Sequence, residues 1–343
     1  GTLRAGCVVS GVSPLLSAEQ IQYQLNDLGA AGKQVGLVTL DAIFAGHIAK
    51  IASAVSPLRL VVTTNVGAFL PRFKQFVGKL TKKIPSGKVT SLPGKTVLDF
   101  HREVLRRYPK ERPEIEVTPD DLACIQYTGG TTGPPKGAML SHRNVASNIM
   151  SVMRWLRWEG QDGVILSGFP MFHAAGLTIG ECALYGGKPQ VNIPNPRDTG
   201  AVERAVRRWG GVDVAFAGIG LNGHVAFNEP PGPSESWTDE SFAASGTRVV
   251  KLAETTKATN SIFGTGGDLR RVPDFAVTVG MKDILNARRV HVFLDWPWQR
   301  FVLRRTLLGP VSRSFPASYL RTHKDVRFTI TEEVATVHSL VPE

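Results

Sequence analysis

Apolar and polar positions alternate along this chain in blocks of strand length, separated by stretches of helical period. Residues 3–12 (LRAGCVVSGV) and 35–40 (VGLVTL) read as short buried strands, and 58–64 (LRLVVTT) as a third. Residues 17–29 carry the signals of a helix: Ser17 as N-cap, Gln20 at the capping-box position and Gly29 as the stop. Lysine, glycine and proline crowd 71–95, which predicts an exposed excursion. The spacing of Val97, Phe100, Val104, Leu105 and Tyr108 predicts a helix over 96–108. A Pro- and acid-rich segment, 109–120, then leads into a strand at 122–127. A helix is expected at 141–157 and a strand at 163–169. Further on, the pattern predicts a helix at 200–209, a buried strand at 212–218, strands at 275–279 and 289–294, and a basic helix over 299–308. Strands alternating with helices predict an α/β fold of layered sheets with flanking helices. The run Ile193-Pro194-Asn195-Pro196-Arg197-Asp198 fits neither period and is the expected boundary, giving modules 1–198 and 199–343.

Charge adds to this picture. The net charge is +11 over 343 residues. Residues 1–198 hold 22 Lys/Arg against 14 Asp/Glu (+8), and 199–343 hold 18 against 15 (+3). The excess peaks in 72–112, with 12 basic and 3 acidic residues. Such a stretch suits a peripheral membrane contact or a polyphosphate, and also suits a plain solvated face. No zinc-finger spacing or aromatic RNA-reading motif accompanies it, so no nucleic acid is expected. Three well-separated cysteines, Cys7, Cys124 and Cys182, predict neither a disulfide framework nor a metal-ligand set, and a reducing, cytoplasmic setting is expected. There is no apolar run long enough for a transmembrane helix. The chain opens at Gly1 without Met, which points to a fragment or a processed start.

Two loops carry candidate chemistry. The first is Tyr127-Thr128-Gly129-Gly130-Thr131-Thr132-Gly133-Pro134-Pro135-Lys136-Gly137-Ala138, after a strand and before a helix starting near Ser141. Glycines let the backbone approach a phosphate and offer N–H donors, threonine hydroxyls add donors, and Lys136 adds a point charge. The spacing is not Walker A, since no Ser/Thr follows the lysine. This segment resembles the phosphate-binding signature of adenylate-forming enzymes. Together with Leu3-Arg4-Ala5-Gly6-Cys7 and Gly168-Phe169-Pro170-Met171-Phe172-His173, residues 1–198 resemble long-chain acyl-CoA synthetase. That resemblance implies ATP or AMP with Mg²⁺, a fatty acid and coenzyme A as co-substrate. It puts Thr128, Gly129, Gly130, Thr131, Thr132, Gly133, Lys136 and Gly137 on the phosphates and His173 beside the acyl and adenylate pocket. No counterpart of the family's acidic Mg²⁺ motif, ribose-binding aspartate or catalytic lysine is found downstream.

The second loop runs from Gly211 to Pro230 and contains Gly218-Ile219-Gly220-Leu221-Asn222-Gly223-His224 and then Asn228-Glu229-Pro230. It spells G-x-G-x-x-G, but the Asn228–Pro233 stretch breaks any helix that should follow, so a dinucleotide site is not expected. A His and a Glu five residues apart on a Gly-flanked loop suit acid–base work. The segment from about 200 onward resembles glucosamine-6-phosphate deaminase and its isomerase relatives. The resemblance implies that His224 opens a sugar ring with Glu229 in support. Asn222 stands where the family has aspartate, Ile262 where it has arginine, and Gln299-Arg300 near its phosphate-binding lysine. Three readings stay open: an ATP/AMP-binding part of a fatty acyl-CoA ligase, a sugar-phosphate deaminase or isomerase, and a non-catalytic chimera of two partial α/β modules. Small-molecule substrates are expected, and uncovered strand edges predict self-association.

Overall fold

The computed structural model describes residues 2–81, 84–108, 111, 113–128, 134–156, 163–167, 174–192, 198–265 and 267–336. It is an α/β structure that divides into two compact units. One comprises 1–128, 135–148 and 171–174; the other comprises 129–134, 149–170 and 175–343.

The first unit is built on a parallel sheet of β1 (Val35–Leu40), β2 (Leu58–Thr64) and β3 (Thr96–Asp99), with β2 in the centre. The helix Ala18–Leu28 packs on it through Ile21 and Leu25, beside Phe44 and Ile48 from the helical stretch 41–54. A reciprocal capping box starts that helix: the Ser17 hydroxyl accepts from the Gln20 amide at 3.2 Å, and Gln20 Oε1 accepts from the Ser17 amide at 3.0 Å. An antiparallel hairpin follows, β4 (Leu122–Thr128) against β5 (Lys136–Ser141); the helix His142–Leu156 after it belongs to this unit as far as Asn148 and to the second from Ile149.

In the second unit, β6 (Ile165–Ser167) and β7 (Gln190–Asn192) form a short parallel pair. The main sheet is parallel, β12 (Val326–Ile330), β11 (Arg289–Leu294) and β8 (Val214–Ala217), with β11 central. β9 (Arg248–Lys251) and β10 (Phe275–Thr278) form an antiparallel ribbon. β11 shows period two: Val290, Val292 and Leu294 are buried, while Arg289, His291 and Phe293 face the other side. Burying each of those three aliphatic side chains is worth ~1.5–3 kcal/mol. They pack with Ile219, Val225, Val302, Phe315 and Leu320.

Several expected elements differ. Residues 3–12 form no strand: Leu3–Ala5 is a 3₁₀ turn closed by Gly6 at φ +68°, and only Val9 bridges to Cys124. The strand at 35–40 is half exposed, Val38 at 68 %, because only one face meets the helix layer. The excursion 71–95 contains a helix, Arg72–Leu80. The helix expected over 96–108 begins as β3, because Val97 and Leu98 pair with Val61 and Val62 of β2; only Phe100–Arg107 coils. The strand at 212–218 is not fully buried, since Phe216 is exposed.

Candidate functional site

The first loop is the connection of the β4–β5 hairpin. Thr128 lies opposite Lys136, and Tyr127 opposite Gly137. Gly129, Gly130, Thr131, Thr132, Gly133 and His173 lie outside the described residues. The strand at 136–141 was not expected, and it places Lys136 and Gly137 on a paired backbone. Gly137 is required there: a Cβ would stand 2.6 Å from Ile125 Cγ2 on the facing strand. The helix Ala18–Leu28 holds the base of the hairpin. Tyr127 donates to Asp27 Oδ2 at 2.5 Å, and Tyr23 donates to the Pro135 carbonyl at 3.2 Å. Burial, and then the bond to Asp27, pushes the Tyr127 phenol well above its ordinary range, so it stays a donor. Tyr23 and Asp27 sit four apart on one helix face, a spacing that gives no hint of a partner more than 100 residues away.

The second loop begins at the C-terminal end of β8, where ligands bind in open α/β sheets. No helix follows Gly223. The backbone folds back, the Gly220 amide donating to the His224 carbonyl at 2.9 Å and the Gly223 amide to the Gly220 carbonyl at 2.9 Å. The glycines therefore serve the loop itself. A Cβ on Gly220 would stand 2.1 Å from His224 Cε1 and 2.2 Å from Nε2, so the imidazole lies directly over it. Gly223 has φ +86° and faces the Phe315 ring. Asn228, fully buried, pins the far end of the loop, donating to the carbonyls of Val225 and Val279 and accepting from Arg248.

The three expected residues meet here. Asn222 Nδ2 donates to Glu229 Oε2 at 2.7 Å, and Asn222 Oδ1 lies 2.7 Å from His224 Nδ1. Glu229 Oε2 is 3.4 Å from the same ring nitrogen, and both side chains are largely buried. Thr256, on the helix Glu254–Gly264, closes the group, with Oγ1 3.1 Å from His224 Nδ1. Burial pushes the Glu229 carboxyl up, but hydrogen bonds with His224, Asn222 and Thr256 outweigh it and hold the group below the ordinary glutamate range. An ionised carboxylate only accepts, which turns the Asn222 amide nitrogen toward it and the amide oxygen toward His224. Nδ1 then donates to the Asn222 amide oxygen, and Nε2 is the ring nitrogen left outside this group. The chain His224–Asn222–Glu229 fixes the orientation of the imidazole.

Ile262 is 43 % exposed on the helix Glu254–Gly264. Gln299 is buried, bonding Asp295, Trp296 and the Ile219 carbonyl, while Arg300 donates to the Glu333 carbonyl. Among the described residues no group of three or more His, Cys, Asp or Glu side chains converges as a metal site.

Residues 1–215 match the sequence model of the AMP-binding enzymes. The chain belongs to the AMP-binding enzyme family. The long-chain-fatty-acid–CoA ligase of Escherichia coli O6:H1 is 31 % identical over 215 residues, covering 61 % of this chain and 37 % of the relative. This member of the family thus spans little more than a third of the relative's length. Over a different segment the chain is similar to glucosamine-6-phosphate deaminase of Lachnoclostridium phytofermentans, 38 % identical over 121 residues, 35 % of this chain and 47 % of that one. A solved structure of a monomeric glucosamine-6-phosphate deaminase is 22 % identical and covers 56 % of this chain and 94 % of its own, with a TM-score of 0.42.

Proposed function

We propose that this chain carries the nucleotide-binding part of a fatty acyl-CoA ligase, its boundary with a second, deaminase-like module lying near residue 198. The supporting observation is that the Thr/Gly/Lys loop falls within the family match and joins two paired strands, with Thr128 and Lys136 opposite each other at its base. Backbone amides and threonine hydroxyls of 128–133 surround the phosphates of ATP or AMP, and Lys136 offsets their charge. By the resemblance, His173 would stand beside the acyl and adenylate pocket. Mg²⁺ and coenzyme A belong to the complete ligase reaction; the described residues supply no carboxylate cluster for the metal. Calorimetric titration with AMP and ATP tests the loop. Saturable binding that Lys136→Ala abolishes supports it, and binding indifferent to Lys136→Ala removes it.

A second reading rests on the His224 group. With its ring oriented by Asn222 and its Nε2 free, His224 takes the anomeric hydroxyl proton of a hexosamine phosphate and returns it to the ring oxygen, opening the sugar. Glu229 stabilises the imidazolium that forms meanwhile. Saturation-transfer NMR of glucosamine 6-phosphate anomerisation tests this: acceleration lost in His224→Ala supports it, and no acceleration leaves the chimera without sugar chemistry. We also infer a peripheral membrane contact within 72–112 and a cytoplasmic setting, with a small-molecule acid or sugar phosphate as substrate. Among the described residues no helix is long and apolar enough to cross a membrane.

A further inference from the structure

The membrane contact can be narrowed to one element. We propose that the helix Arg72–Leu80 inserts its apolar edge, Phe73, Phe76 and Val77, into an anionic lipid surface. This rests on the inference that 72–112 faces a membrane.

The helix is amphipathic in the opposite sense to a core helix. Phe73, Phe76 and Val77 share an arc of roughly 100° at 100° per residue. A soluble domain normally buries such an arc, yet Phe73 is 77 % exposed, Phe76 67 % and Val77 39 %. The helix packs through a different side. At Gly78 the following chain comes so near that a Cβ would stand 2.3 Å from Ile84 Cδ1, and the Ile84 amide donates to the Gly78 carbonyl at 3.3 Å. Gly78 is small because Ile84 occupies that side, which leaves the aromatic edge outward.

The charge of the flanking sequence selects the occupant. Between Asp41 and Asp99 the sequence holds nine Lys/Arg and not one Asp or Glu. A protein groove of ordinary composition does not call for so one-sided a field, whereas an anionic headgroup layer does. Aromatic and aliphatic side chains on one face of a helix that lies in a basic stretch of sequence are what an interfacial helix requires. Neither contribution suffices alone: the apolar edge is short, and screened charges alone give a weak, salt-sensitive contact.

The test is sedimentation of the full chain with vesicles of phosphatidylcholine, and of phosphatidylcholine mixed with phosphatidylglycerol, at low and high salt. The expected result is binding to the mixed vesicles only, reduced by salt, and weakened roughly tenfold or more by Phe73→Ser/Phe76→Ser as the buried apolar area disappears. Both side chains are exposed, so circular dichroism of the double variant should match the parent. No vesicle binding by the parent would overturn the membrane inference altogether. Binding undiminished in the double variant would leave 72–112 as a purely electrostatic contact and overturn the role of this helix. Self-association lost in the double variant, without lipid binding, would assign the edge to a second copy and equally overturn it.

Discussion

At the scale of single residues, the His224 group turns on close approaches. Gly220 supports the imidazole, and a methyl group there collides with two ring atoms. Gly220→Ala should therefore displace His224 and abolish any acceleration of sugar anomerisation while the sheet survives; retained acceleration would show that the ring does not act from this position. Asn222 gives a second test. Asn222→Leu removes both the donor to Glu229 and the acceptor for His224 Nδ1, and should lower the same rate ~100-fold, the scale of lost general-base catalysis. Glu229 links the site to stability. Its carboxyl is held below its unfolded value, so its contribution is present above the ordinary glutamate pKa and fades as pH falls through the lower folded value. Thermal unfolding between pH 7 and pH 3 should show Glu229→Gln closing the gap to the parent at the acid end; an unchanged gap would contradict the assignment. His224, Asn222 and Glu229 were legible because they lie within eight consecutive positions of one turn. Thr256 was not, since it joins from a helix 32 residues away and no local spacing announces it.

At the scale of elements, local signals predicted well where the element is held locally. The helix Ala18–Leu28 followed from Ser17, Gln20 and Gly29, and the capping box is present in full. Ser17→Ala should lower the first unit's stability by about 1 kcal/mol, read from urea unfolding. Where pairing partners are distant, the pattern misled. Residues 96–99 carry helical spacing but are captured by β2, thirty-six positions earlier at Leu60↔Thr96. The strand β5 was missed because Lys136–Ser141 shows no clean alternation and takes its form from β4. No helix follows the G-x-G-x-x-G spelling, because the Pro-rich sequence after it breaks one. Gly223, at φ +86° and against Phe315, should resist alanine: Gly223→Ala is expected to cost more than ~1 kcal/mol and to lower the unfolding transition of the second unit while leaving the other unchanged.

At the scale of the molecule, the chain joins a segment of the AMP-binding family to one similar to glucosamine-6-phosphate deaminase. Packing divides it differently, since residues 149–170 and 175–198 fall in the same compact unit as the deaminase-like segment. Two candidate ligand sites follow, a hairpin loop for nucleotide phosphates and a His–Asn–Glu group for a sugar phosphate. The most direct test is thermal unfolding of the chain with AMP and with glucosamine 6-phosphate, in the parent, Lys136→Ala and His224→Ala. A ligand that binds only the folded state raises its unfolding temperature by mass action. Two independent sites predict an AMP shift lost only in Lys136→Ala and a sugar-phosphate shift lost only in His224→Ala. No shift with either ligand, or both shifts lost in one variant, would contradict them.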